Sequence, residues 1–213
     1  MPRLTIRAMV PRMIVLGLTG SIAMGKSTAA AMFRRLAVPV FDADAAVHRL
    51  LGAGGAAVAR IEALFPGTTR GGAVDRPLLA ARVFSDGQAL ARLERLLHPF
   101  VYREMDAFIG RARRQRRPLV VVDVPLLYES GGERRCDLVA VVSAPRWVQA
   151  ARLGARPGYD ARRQAAITRR QMPDAEKRRR ADVIIPTGLG FGPTRRAIAL
   201  CIRRLTRRPS RSY

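Results

Sequence analysis

A chain of 213 residues with 48% hydrophobic content is long enough to bury a sizeable core, which excludes wholesale disorder. Its net charge of +23 is carried almost wholly by arginine, Lys26 and Lys177 being the only lysines. The longest apolar run, "PLVVVDVPLL", is interrupted by Asp123 and falls well short of the roughly twenty residues a membrane-spanning helix needs. Cys136 and Cys201 follow no metal-ligand spacing, so a reducing cytoplasm is the simplest setting.

Residues 1–12, "MPRLTIRAMVPR", lack the apolar stretch of a secretory signal and read as a disordered extension before Met13. An apolar strand, "MIVLGLT" (Met13–Thr19), follows and runs directly into "GSIAMGKST". Gly20, Gly25, Lys26 and Ser27 satisfy G-x-x-x-x-G-K-[ST] between a predicted strand and a predicted helix, the context a phosphate loop requires. Glycines let backbone N–H groups converge on phosphate oxygens, and the following helix adds the positive end of its dipole. Ser21, Ile22, Ala23, Met24, Gly25, Lys26, Ser27 and Thr28 are accordingly read as ATP-binding. Lys26 reaches the β and γ phosphates, and Ser27 is the Mg²⁺ ligand.

The second strand, "VPVFD" (Val38–Asp42), ends in "DAD". Open parallel sheets bind ligands at the carboxyl ends of their strands, so Asp42 and Asp44 are expected near the loop. A carboxylate there accepts a hydroxyl proton or holds Mg²⁺ through water; Asp42 reads equally well as a helix N-cap. About 75 residues of largely helical pattern follow, among them "AAVHRLL", "AAVARIEALF", "RPLLAARVF" and "ALARLERLLHPF", a helical insertion beside the sheet. His48 lies on a helix face as a structural residue, and Pro99 predicts a helix boundary beside His98.

"LVVVDV" (Leu119–Val124), "LVAVVS" (Leu138–Ser143) and "DVIIPT" (Asp182–Thr187) complete five runs that are apolar throughout, as strands buried on both faces of a parallel sheet are. The fold class is therefore α/β, with a five-stranded parallel sheet flanked by helices. The Arg-rich helical stretch before the last strand is where a lid would sit, and Trp147 at its start is expected in the core. No aromatic residues interleave the clusters "RARRQRR", "KRRR" and "RRLTRRPSRS", which disfavours nucleic acid as a partner despite the charge. The loop by itself leaves open a kinase of another small metabolite or nucleotide, or a nucleic-acid-binding protein switched by ATP.

"GLTGSIAMGKST", "VPVFDADAAVH", "LLHPFV", "VVVDVPLLYESG" and "RRQMPDAEKRRRADVIIPTG", in this order and spacing, resemble the dephospho-CoA kinase family from about Met13 to Leu205. The resemblance implies a cytoplasmic enzyme that phosphorylates the ribose 3′-hydroxyl of dephospho-CoA with ATP and Mg²⁺. It implies a nucleotide-binding core of residues 13–45, 99–145 and 182–213, a helical substrate domain of 46–98 and a lid of 146–181. Carried over by motif, Asp44 is the base, Asp42 its support, and His98 with Pro99 belongs to the substrate domain. Asp123, Pro125, Leu126 and Glu129 line the acceptor, while Arg152 and Arg156 are lid arginines that close on the phosphates. The family usually has glycine where this chain has Ala23; a positive φ there costs alanine roughly 1 kcal/mol or more.

Overall fold

The structure is a computed structural model that describes residues 13–84, 86–155 and 171–206. Its chain divides into two compact units. One comprises the described residues up to Val40 and from Ala112 onward; the other is Phe41–Arg111.

The first unit is built on the five expected strands. These are β1 (Ile14–Thr19), β2 (Val40–Asp42), β5 (Leu119–Asp123), β6 (Leu138–Ser143) and β7 (Val183–Pro186), in the order β2-β5-β1-β6-β7. The pairs β1–β5, β1–β6 and β6–β7 are parallel, with Leu18 opposite both Asp123 and Ala140. All of β5 is buried, its apolar residues 119–122 together with the terminal Asp123. α1 (Lys26–Arg35) and α8 (Phe191–Thr206) pack against one face and each other. Their core joins Leu16, Leu18, Met24, Phe33, Val121, Val142, Ile185 and Ile198. α6 (Arg146–Gly154) follows β6, and the short α7 (Asp174–Arg180) leads into β7.

The second unit holds α2 (Ala43–Leu51), α3 (Val58–Leu64), α4 (Arg76–Phe84) and most of α5 (Gly87–Arg114). Its core is a separate apolar cluster that includes Leu50, Ile61, Phe65, Leu79, Leu93, Leu97 and Phe100. Two features depart from the sequence reading. A small antiparallel hairpin, β3 (Thr69–Arg70) and β4 (Ala73–Val74), interrupts the helices. Gly71 and Gly72 turn it at φ 57° and 74°, the pair of positive values that a two-residue hairpin turn demands. The other departure is α5, which runs through Pro99 without a boundary there. A helix-interior proline costs about 3 kcal/mol. Leu93 and Leu97 before it and Phe100 after it are buried in one cluster, and side chains of this size contribute about 1.5–3 kcal/mol each on burial. Burial outweighs the lost hydrogen bond. No helix among the described residues is long and apolar enough to cross a membrane.

Candidate active site

The loop between β1 and α1 is shaped by packing as much as by glycine flexibility. A Cβ on Gly20 would lie 2.4 Å from Val142 Cγ2 and 2.8 Å from the Val142 carbonyl oxygen, so only glycine permits the close approach to β6. Met24 is buried, and its sulfur accepts a hydrogen bond from the Ala144 N–H at 3.2 Å, which seats the loop on the core. Gly25, the N-cap of α1, is left-handed at φ 88° and offers no side chain to the helix N–H groups. The first turn of α1 thus presents donors and a positive dipole end where an anion can bind. Ala23 also has a positive φ, 60°, the conformation anticipated for a position that is usually glycine.

Lys26 opens α1, and its Nζ meets Asp123 Oδ1 at 2.5 Å. The pair is nearly buried, with side chains 15% and 5% exposed. Its geometry follows from the sheet: β1 and β5 are neighbours, and Asp123 closes β5 opposite Leu18. Asp123 therefore faces the loop lysine directly. The next residues are also tied to β1, Thr19 Oγ1 donating to the Pro125 carbonyl at 2.9 Å. Ser27 and Thr28 are exposed.

Three carbonyls of the loop are engaged by side chains from distant parts of the same unit. Gln149 Nε2 donates to the Ile22 carbonyl at 2.9 Å, and Gln171 Oε1 accepts from the Ile22 N–H at 2.9 Å. Arg152 donates from NH1 to the Ala23 carbonyl at 3.4 Å and from NH2 to the Thr187 carbonyl at 2.6 Å. Thr187 Oγ1 donates to the Met24 carbonyl at 2.6 Å. Glu129 accepts the Met172 N–H at 2.7 Å and pairs with Lys177 Nζ at 2.9 Å. Lys177 is wholly buried. Leu126 is half-buried, whereas Leu127 and Tyr128 belong to a small core with Val139 and Val141. Burial of Tyr128, with Asp182 adding to it, pushes its phenol pKa up. Beneath this region the Cys136 thiol is pushed up to about 12, first by burial and then by Asp137 and Glu133, so it is neutral and no nucleophile.

In the helical unit, Asp42 caps α2 by accepting the Ala45 N–H at 3.0 Å. Asp44 stands exposed in the first turn of α2. His98 is half-buried with its ring 5.8 Å from that of Tyr102, and His48 Nδ1 lies 2.7 Å from Arg76 NH1. Arg156 lies outside the described residues. Trp147 differs from expectation: it is 73% exposed on α6, where Val148 is the residue that turns to the core. Gln149, Gln171, Thr187 and Lys177 do not stand out in the sequence as site residues. Lys177 alone carries a usable signal, as one of two lysines in a chain that otherwise uses arginine.

The family model for dephospho-CoA kinase matches residues 14–188 of the chain. A dephospho-CoA kinase of Paramagnetospirillum magneticum is 61% identical over 166 residues, 78% of either chain. That of Rhodospirillum rubrum is 54% identical over 186 residues, 87% of this chain and 88% of the relative. Among solved structures, a Thermus thermophilus protein is 35% identical with a TM-score of 0.78, covering 91% of this chain and 97% of its own. The dephospho-CoA kinase of Campylobacter jejuni shares the fold at a TM-score of 0.62 and 22% identity, over 90% of this chain and 97% of its own.

Proposed function

The chain belongs to the dephospho-CoA kinase family, and on that premise we propose how its own residues carry out the reaction. The reaction is transfer of the γ-phosphoryl group of ATP to the ribose 3′-hydroxyl of dephospho-coenzyme A, giving coenzyme A and ADP. Lys26 is the observation that carries the assignment: a lone lysine at the head of α1, held by a buried carboxylate at the end of the neighbouring strand. When ATP binds, its phosphates draw the ammonium from Asp123, and Lys26 neutralises charge on the β and γ groups. The uncapped first turn of α1 supplies N–H donors to the same phosphates.

Mg²⁺ is a hard cation that takes oxygen ligands, and the exposed Ser27 hydroxyl and the Asp123 carboxylate are of that kind. These two residues would hold it. When bound, the ion neutralises charge developing on the transferring phosphoryl group. Asp44 accepts the proton of the 3′-hydroxyl, a role its exposed carboxylate on a rigid helix turn suits. Asp42 supports it by capping the same turn. Pro125 and Leu126 line the acceptor, and His98 is a further acceptor-binding residue. Glu129 keeps that wall in place through Lys177. Arg152, which also holds the loop at Ala23, and Arg156 are the arginines that close on the phosphates.

Purified protein with Mg-ATP and dephospho-CoA, read by the appearance of ADP and coenzyme A, tests the reading. Dephospho-CoA is expected to be far better than adenosine, shikimate or gluconate. Equal turnover of any of the smaller acceptors overturns the substrate assignment.

A further inference from the structure

We propose that Gln171 and Gln149 form a clasp that holds the phosphate loop in its ATP-binding shape and lets it carry alanine at position 23. Ala23 sits at φ 60°, a backbone region that L-residues with a Cβ avoid. Such strain persists only where the surroundings over-determine the backbone. The surroundings here do so one peptide group at a time. Ile22, immediately before the strained residue, has its N–H taken by Gln171 and its carbonyl taken by Gln149. The Ala23 carbonyl is held by Arg152 and the Met24 carbonyl by Thr187. Three successive carbonyls are thereby paired with protein donors, which keeps those oxygens from repelling an incoming phosphate.

Gln149 is carried by a turn of α6, so its position is set by the helix. Gln171 lies in a bend. Its neighbour Met172 anchors it, because the Met172 N–H is bonded to Glu129 and Glu129 is paired with the buried Lys177 on α7. Among the described residues, the Nζ of Lys177 approaches as an ion pair without hydrogen-bond alignment, and Glu129 Oε2 is buried without a hydrogen bond. A buried pair of this kind is weak as a source of stability, and fixing one arrangement of the chain is the use such pairs best serve. The arrangement it fixes is the backbone next to Gln171. Both glutamines are thus positioning residues acting through the loop, and the inference rests on the loop holding the phosphates of ATP under the proposed function.

The test is a double-mutant cycle between positions 171 and 23, read as the Kd for Mg-ATP and checked for folding by circular dichroism. Gln171→Leu is expected to weaken ATP binding about tenfold, a change of ~1.4 kcal/mol. Ala23→Gly in the wild-type background supplies the fourth corner of the cycle. Placed in the Gln171→Leu background, Ala23→Gly is expected to restore Kd to within threefold of wild type, since glycine removes the strain the clasp contains. Gln149→Leu, at a half-buried site on the face of α6, is expected to show the same rescue and provides a second measurement if Gln171→Leu folds poorly. Additive effects with no rescue overturn the proposal, as does an unchanged Kd in both leucine variants. Wild-type turnover of dephospho-CoA is measured separately, so a failure of the substrate assignment is distinguishable from a failure of the clasp.

Discussion

The two units reach order by different kinds of contact, and the candidate residues in each inherit that difference. In the sheet-based unit they are tied across the chain: Lys26 to Asp123 over 97 residues, Ile22 to Gln171 over 149, and Thr187 to Met24 over 163. In the helical unit order comes from an apolar cluster, and its polar contacts span shorter separations, His48 to Arg76 over 28 residues and Arg49 to Glu104 over 55. Asp42 caps a helix by bonding three residues ahead, while Asp44 and His98 lie on helices whose other faces are buried. A polar substitution in the first unit therefore disturbs geometry and chemistry together. One at Asp44, under the proposed function, is expected to disturb chemistry alone.

The largest effect expected is at Lys26. Lys26→Ala should abolish transfer, with less than about a tenth of wild-type activity remaining. It should also lower stability, because Asp123 stays nearly buried without the ammonium. Adding Asp123→Asn should recover melting temperature without recovering turnover. Recovery of both would detach the pair from catalysis.

Asp44→Asn comes next, and here the contrast is sharpest. A positioned base contributes ~10²–10⁴ in rate, so kcat should fall by that factor. Thermal stability and the Kd of both substrates should barely move, because Asp44 is exposed. Normal turnover by Asp44→Asn with an inactive Asp42→Asn would reverse the roles of the two carboxylates.

A core substitution probes the helical unit by itself. Ile61 is fully buried in its cluster, and Ile61→Ala should cost about 2–5 kcal/mol. As temperature rises, acceptor binding should be lost before ATP binding. Coincident loss of the two in calorimetric and binding titrations would show that the units melt as one and would erase the contrast between them.

The smallest change is expected from removing the α2 cap. Asp42→Ala should destabilise by ~1 kcal/mol, seen as a shift in the urea midpoint, with kcat falling far less than in Asp44→Asn. An equal loss of kcat would make Asp42 part of the chemistry and not merely its support.

Whatever depends on neighbours in the chain is legible without coordinates. Five largely apolar runs become five strands; β5 is buried throughout, as a strand covered on both faces must be, whereas β7 at the sheet edge leaves Ile184 and Pro186 exposed. The glycine turn between β1 and α1 is legible for the same reason, its glycines and lysine lying within a single turn, and so is the α2 cap at Asp42. The hairpin at Gly71 and Gly72 and the passage of α5 through Pro99 are not, because local helical pattern and proline chemistry point elsewhere until the apolar cluster decides between them. Hydrophobicity alone assigns Trp147 to the core, yet which face of α6 meets the sheet is a matter of packing. The partners of the loop lie beyond reach altogether. No spacing rule joins Gln171 to Ile22, Thr187 to Met24 or Lys177 to Glu129. Those contacts exist because parallel strands bring residues far apart in the chain to one edge of the sheet, a proximity that only the folded chain creates.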